Sequence, residues 1–498
     1  MKKYLLLLLT GISFNSAWAQ ETTAEDVIRL AVDNLTGTAR FRAMGGAFGA
    51  VGGDMSAINV NPAGSIFFNN NFATVTGSLY NAKNKSLYYG TATHETDSTL
   101  DLNQIGAVFV FKDTNSKWNK IAFALNYDNV NNLNNATFSA GTNPYNSIGN
   151  YFVNIAQGIP TNTLSNYSFY DLNFYEQQAY LGYDTYIFDP AVDTPGNTSY
   201  ISNIPAGGNY YQENQVLSTG YNGKLSGNFS AAYKDILFLG GNLNFHFVNI
   251  EKLFSVYESN ENALNPGRST ITEVLFDNRL WTTGSGFSFN LGAIVKPIES
   301  LRVGLAYESP TWLRLTDELQ QGVGTNRIES NGSNFDSYSY HDPITYLPYT
   351  VQTPGKWTGS LAYIYKKRGL ISVDVSTKDY SNTRIKPKRD YNDINRFMSN
   401  ALDNAIEVRV GAEYKIKQIS LRAGYRFDES PYKVDQNFGD LTGYSGGIGY
   451  TFGENRIDLA YSYDHRKMNQ AFLSSGMTDP ARISRYNNNI TISYSINF

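Results

Sequence analysis

Arg42-Ala43-Met44-Gly45-Gly46-Ala47-Phe48-Gly49-Ala50-Val51-Gly52-Gly53-Asp54-Met55-Ser56-Ala57-Ile58-Asn59-Val60-Asn61-Pro62-Ala63-Gly64 is rich in glycine and carries one acid and one base. Glycine serves where a backbone turns at positive φ or presses against another backbone. The stretch reads as a compact, irregular knot. It closes on a turn in which Pro62 fixes its own φ and pushes Asn61 toward extended geometry. From Phe72 the chain alternates apolar and polar residues almost to its end. A knot therefore precedes a long series of strands.

The alternation has one apolar face. Ile121, Phe123, Leu125 and Tyr127 oppose Ala122, Ala124, Asn126 and Asp128; Leu239, Leu243, Phe245 and Phe247 oppose Asn242, Asn244 and His246; Ile457, Leu459, Tyr461 and Tyr463 oppose Asp458, Ser462 and Asp464. Period two with one apolar face suits a strand between lipid and a polar lumen, and also a soluble β-sandwich. Connections separate the two. The joins near 113–118, 234–236, 297–300, 366–369, 416–419 and 453–456 are short, and the intervening ones are mostly longer. About fourteen strand candidates follow, an even count that suits bacterial barrels. Short turns then face the periplasm and long loops face outward. The longest loop runs from 134 to 210.

Composition agrees with this reading. Of 498 residues, 37 are Tyr, 29 Phe and 43 Gly, and charged residues are only 17%. Aromatics suit strands and interfacial girdles. Residues 1–19 read as a signal peptide: Lys2-Lys3, the apolar run Leu5 to Leu9, then Ala17-Trp18-Ala19. No later apolar run approaches the roughly 18 residues a membrane helix needs. A formal charge of −4 gives no reason to expect nucleic acid, and the absence of cysteine excludes disulfides and thiolate metal sites. Helical spacing over 21–34, with Thr23 as N-cap, predicts a short helix leading into the knot.

A small glycine-rich N-terminal domain, then Asn61-Pro62-Ala63, then many strands, resembles the FadL/TodX family of outer-membrane transporters for hydrophobic compounds. The matching residues are Arg42, Ala43, Gly46, Gly49, Asp54 and Asn61-Pro62-Ala63. Gly53-Asp54 departs from the adjacent acids common in that family. The resemblance implies a hatch, residues 20–68, folded inside a transmembrane barrel, residues 69–498, with a local break in the wall for lateral exit. The final strand, with Ile490, Ile492, Tyr494, Ile496 and Phe498 on one face, resembles the signal read by the barrel assembly machinery. It should pair with the first strand.

Three finer expectations follow. With Ile416 and Lys417 at a turn, Val408 should face Tyr425, Ile406 should face Phe427, and Glu407 should meet Arg426 inside. Pro310, Pro348 and Pro354 should mark bulges, kinks or strand ends. The loop 134–210 should fold over the mouth, either with Tyr151, Phe152 and Ile155 lining a capture groove for apolar ligand or as a cap that shields the barrel.

Enzyme readings are weak. Gly443-Tyr444-Ser445-Gly446-Gly447 matches G-x-S-x-G without the strand-turn-helix setting of a nucleophile elbow. The four histidines, His94, His246, His341 and His465, lack metal-ligand spacing. The reading is an all-β transmembrane antiparallel barrel of about 14 strands, plugged at its N-terminus. It is a monomer in the Gram-negative outer membrane that passes a hydrophobic small molecule by diffusion, without cofactor or metal. Alternatives are a diffusion porin for polar solutes and a surface adhesion or structural barrel.

Overall fold

The computed structural model describes residues 23–366, 368–434 and 438–498; the expected signal peptide lies outside them. The chain opens with α1 (Ala24–Ala31), α2 (Ala39–Ala43) and α3 (Ala57–Val60), followed by a 3₁₀ turn over Pro62–Phe67. Thr23 caps α1 as expected, in a reciprocal pair of hydrogen bonds with Asp26. The wall begins with β1 (Phe72–Tyr88), β2 (Thr91–Lys112) and β3 (Trp118–Asn132), which is continued by β4 (Asn135–Asn143). A cap follows: α4 (Ile148–Ala156), α5 (Thr161–Asn166), α6 (Phe174–Asp184) and a ribbon of β5 (Phe188–Pro190) with β6 (Tyr200–Ser202). Then come β7 (Tyr210–Tyr233), β8 (Leu237–Asn260) and β9 (Thr270–Ile298). One span is split into β10 (Leu301–Glu308) and β11 (Trp312–Ile328), and the next into β12 (Asn334–Tyr340), β13 (Ile344–Thr345), β14 (Tyr349–Gln352) and β15 (Lys356–Tyr365). A third split span is β16 (Gly369–Asp379) with β17 (Arg384–Lys386), after which α7 (Asn392–Ala401) packs with Met398 against the core that holds α1. The last five are β18 (Asn404–Ile416), β19 (Ile419–Asp428), β20 (Phe438–Phe452), β21 (Asn455–Ala471) and β22 (Pro480–Asn497).

These segments make a closed antiparallel barrel of 14 spans, because β22 pairs with β1 from Phe72↔Asn497 to Leu87↔Arg482. Closure leaves no strand edge in hydrocarbon. The burial pattern is the inverse of a soluble protein's. Leu243, Phe245 and Phe247 of β8 are exposed, whereas Asn242, Asn244 and His246 between them are at most 5% exposed. Apolar side chains face lipid and polar ones face the bore, so the chain resides in the outer membrane. Tight turns sit at one end. Lys234 and Asp235 both have positive φ, as a two-residue hairpin requires.

Three expectations change in detail. The β18–β19 turn is Lys417-Gln418, so Val408 faces Phe427 and Val410 faces Tyr425. Because the shift is two residues, every side chain keeps its face. Glu407 does not meet Arg426; it pairs with Arg409 at 3.0 Å, and Arg426 pairs with Asp428. The long loop is shorter than 134–210, since β4 continues the third span through 135–143. Pro310, Pro348 and Pro354 do fall between strands, but Thr311 and Thr353 bridge the kink at two of them by mutual 3.0 Å hydrogen bonds.

The bore is filled by residues 38–68. On one arc of the wall, Arg40 is 2.9 Å from Glu413, which accepts from Arg422 at 2.7 Å; Arg422 also lies 2.8 Å from Asp458. The Glu413 side chain is 1% exposed. Glu413 thus carries the charge balance between a plug residue and a wall residue.

Glu413→Gln leaves Arg40 without its counter-ion. Breaking one side of a buried pair costs about 3–5 kcal/mol. With Asp458 still holding Arg422, the barrel assembles, but residues 38–68 become sensitive to periplasmic protease. Limited proteolysis of the folded, heat-modifiable species measures this.

Candidate functional site

Three features mark the end of the barrel away from the tight turns: a cap, a cavity beside α1, and a gap in the wall. The plug below them is seated by steric fit. The Asn61 side chain donates to Gly49 O at 2.8 Å and to Ala293 O at 3.1 Å, and accepts from Ala63 N at 3.1 Å. Asn228 donates to Pro62 O at 2.9 Å. Beside Asn228 this turn lies directly on wall backbone, at Gly240 and Gly292. A Cβ on Gly292 would stand 2.0 Å from Asn61 Oδ1, and one on Gly240 would stand 2.5 Å from Pro62 backbone. Gly49 N donates to Asp374 at 2.9 Å, while Asp54 accepts from Thr38 Oγ1 at 2.7 Å and from Ser56 N at 2.9 Å. Gly46 lies beside Leu35 and Arg409. Ser445, the centre of G-x-S-x-G, sits mid-strand in β20; it accepts from Gly45 N at 3.1 Å and donates to Ala43 O at 3.2 Å. Its hydroxyl holds the plug.

Above the plug, α1 lines a cavity of about 170 Å³. Its apolar side includes Ile28, Val32, Leu133, Val216, Phe438 and Met468, and its polar side includes Arg466 and Arg485 together with the acids Glu25, Asp26 and Asp464. Those two arginines are register partners on β21 and β22. Arg466 is 6% exposed, lies 4.0 Å over the Phe438 ring, and leaves its Nε without a hydrogen bond. Arg485 donates to Asn84 at 3.3 Å. Among the described residues neither arginine has a carboxylate within 4.0 Å, whereas Lys252 in the same cavity is matched by Asp26 at 3.0 Å. Two adjacent guanidinium groups without a counter-ion are costly unless an anion joins them.

The wall opens beside this cavity. The β2–β3 ladder stops at Gln104↔Asp128, and above it no backbone pairing joins β2 to β3 or β4 among the described residues. Side chains span the interval: Asn129 donates to Asp101, and Asn134 donates to Thr99 Oγ1 at 3.1 Å. Outside lies a groove of about 390 Å³ flanked by Leu100, Leu102 and Tyr221. Asn132 and Asn134 line both this groove and the inner cavity. The inner side of the gap is held by α1. Arg29 donates to Ser218 at 3.3 Å, Asn131 donates to Arg29 O at 3.2 Å, and Asn34 bonds Asn131.

The cap has its own core. Tyr151 and Phe152 are buried in it with ring centroids 5.8 and 5.4 Å from Phe276, and Ile155 packs at its edge. None of the three lines the inner cavity or the outer groove. Glu258, near the outer end of β8, anchors the cap by accepting from Ser147 Oγ at 2.5 Å, Ile148 N at 2.7 Å and Gln212 Nε2 at 2.7 Å. Burial raises its carboxyl from the ordinary 4.5 to about 7, against the three donors, which favour the charged form. No group of three or more His, Cys, Asp or Glu able to hold a metal occurs among the described residues.

Comparison with known proteins adds to this geometry. Residues 229–494 match the family described as outer membrane protein transport protein (OMPP1/FadL/TodX). Outer membrane protein P1 of Haemophilus influenzae is 27% identical over 211 residues, which are 40% of this chain and 41% of that protein. The match thus spans less than half of that relative. Among solved structures, the Pseudomonas putida toluene transporter TodX superposes with a TM-score of 0.51 at 15% identity, covering 93% of this chain and 99% of that one. A Pseudomonas aeruginosa FadL homologue gives 0.53 at 13% identity, covering 94% and 100%. At these identities the likeness is one of fold.

A carboxyl whose folded value lies above its unfolded value binds more protons when folded, so stability falls as pH rises between about 4.5 and 7. The loss at pH 8 is roughly 3 kcal/mol. Protection factors of the α4 amides, corrected for base-catalysed intrinsic exchange, should be lower at pH 8 than at pH 5.5, and Glu258→Gln should remove that difference.

Proposed function

The chain belongs to the OMPP1/FadL/TodX family of outer membrane transport proteins, and from that premise we propose that it passes amphipathic molecules bearing one anionic head and an apolar tail. One observation carries this reading: Arg466 and Arg485 stand side by side in the cavity with no carboxylate within 4.0 Å of either among the described residues, across from an apolar lining. A head group would bridge the two guanidinium forks. The tail would leave water for Ile28, Val32 and Leu133, a gain of about 25 cal/mol per Å² buried.

Ligand enters beneath the cap, rests in the cavity, and leaves through the gap between β2 and β3/β4 into the bilayer. The hatch, residues 20–68, divides into two parts in this scheme. The body from 38 to 68 stays seated on its glycine patch, and α1 shifts to clear Asn131 and Asn134. A general pore for polar solutes would need an open bore, which residues 38–68 occupy. A neutral hydrocarbon, such as toluene for the transporter TodX, is the second reading, and it needs no arginine pair.

Two tests separate these possibilities. In cells, Arg466→Gln/Arg485→Gln should lower uptake of dodecanoate about 10- to 100-fold, from the loss of hydrogen bonds to a charged group, and change 1-dodecanol uptake less than 2-fold. Equal loss for both would overturn the anionic assignment. Asp101→Cys/Asn129→Cys, oxidised to a disulfide across the gap, should block uptake of both compounds until reductant is added.

A further inference from the structure

The outer wall carries a second apolar depression, far from the gap and at the opposite end of the barrel. It spans β15, β16, β18 and β19 and has a volume of about 580 Å³. Ladder register makes its shape plain. Tyr363↔Ile371, Ile371↔Ala412 and Ala412↔Ala423 form one row across the four strands. Tyr365↔Gly369, Gly369↔Tyr414 and Tyr414↔Leu421 form the next row toward the turns. Tyrosines therefore wall a furrow whose floor is Gly369, Ala412 and Ala423. Tyr363, Tyr365 and Tyr414 are each 49–50% exposed and point into the membrane.

The turns just beyond this furrow are cationic. Lys366, Arg368 and Lys417 are exposed, and none has a carboxylate within 4.0 Å among the described residues. Lys415 N donates to Arg368 O at 2.7 Å, which holds the two turns together. Lys366 lies 5.1 Å over the Tyr365 ring, at the furrow's edge. The other periplasmic turns differ, since Asp113, Asp235, Glu299 and Glu454 each place an acid there. Positive charge is concentrated where the apolar furrow meets the membrane surface.

We infer that this face is a binding site for one anionic phospholipid of the periplasmic leaflet, its acyl chain in the tyrosine-walled furrow and its phosphate on Lys366, Arg368 and Lys417. The furrow lies at the depth of acyl carbons next to the interface, where tyrosine hydroxyls reach the head-group level. Each basic residue near an anionic membrane surface contributes attraction, and three converging on one phosphate make it selective for charge. The inference is independent of the substrate reading, because the furrow shares no residue with the inner cavity or the gap.

The test is native mass spectrometry of the full-length protein released from nanodiscs containing equal phosphatidylglycerol and phosphatidylcholine. Wild type should retain one phosphatidylglycerol in preference to phosphatidylcholine. Lys366→Gln/Arg368→Gln/Lys417→Gln should abolish the preference, a loss of about 100-fold in relative retention. Ala423→Leu, which fills the floor and leaves every charge in place, should reduce retention of both lipids. Both variants alter exposed positions, and heat-modifiability checks that they fold. Retention of phosphatidylglycerol by the charge variant at the wild-type level, retention of lipopolysaccharide in its place, or no retained lipid in wild type would overturn the assignment.

Discussion

Hydrocarbon offers no partner to a backbone amide, so a strand wall in the outer membrane must pair every N–H and C=O within itself. That constraint explains why β22 returns to β1 over its whole length, and it gives meaning to the one interval where the β2–β3 ladder lapses. There the chain reads Asn129-Val130-Asn131-Asn132-Leu133-Asn134-Asn135. Asparagine is poor in strands but rich in donors and acceptors. Asn134 accepts from Gly220 N at 3.0 Å, and Leu133 N donates to Gly220 O at 3.0 Å. Backbone pairing thus continues on the β7 side with one side-chain bond added, while on the β2 side only side-chain hydrogen bonds cross the interval. A wall built this way can be breached laterally without leaving its backbone unsatisfied.

The plug obeys a different constraint, close packing. Its turn at Asn61-Pro62 touches backbone of the wall directly, which only glycine at 240 and 292 permits. A second contact arc shows the same device, since a Cβ on Gly424 would lie 2.2 Å from Gly45 N. Interfaces of this kind have two states, seated or displaced, and little between. The polar atoms of the turn are also matched one by one, which makes displacement more costly still.

Much of this was legible in the sequence. Strand faces followed from period two, and the barrel's polarity followed from short and long joins. The β18–β19 register missed by two residues because apolar alternation fixes parity alone; choosing Lys417-Gln418 over Ile416-Lys417 depends on the positive φ that Lys417 adopts, at 54°. The third span looked finished at 133, since Asn-rich chain reads as loop, yet it resumes at Asn135. Pro310, Pro348 and Pro354 fall between strands as their missing donors require, whereas the lapse between β2 and β3 contains no proline and gave no such signal. The arginine pair was hidden, because Arg466 and Arg485 are nineteen positions apart in sequence and meet only through the β21–β22 register.

The remaining question is which element yields when ligand passes. The body of the plug is held by a buried Arg40–Glu413–Arg422 chain, by backbone contacts on glycine, and by Arg42 donating to Tyr80 at 3.1 Å and Ser462 at 3.0 Å. Helix α1 buries Val27, Ile28 and Ala31 in an apolar core with Leu313, Tyr349 and Met398, is tied at its C-terminal end by Lys378 donating to Ala31 O at 2.6 Å, and carries on its other side the Lys252–Asp26 pair, whose side chains are each 20% exposed, and the 3.3 Å bond from Arg29. Partly exposed pairs contribute about 1 kcal/mol or less, and breaking buried ones costs several-fold more. The same helix forms the floor of the arginine cavity and the inner latch of the gap. The cavity and the gap therefore share one structural element, and any movement of α1 alters both.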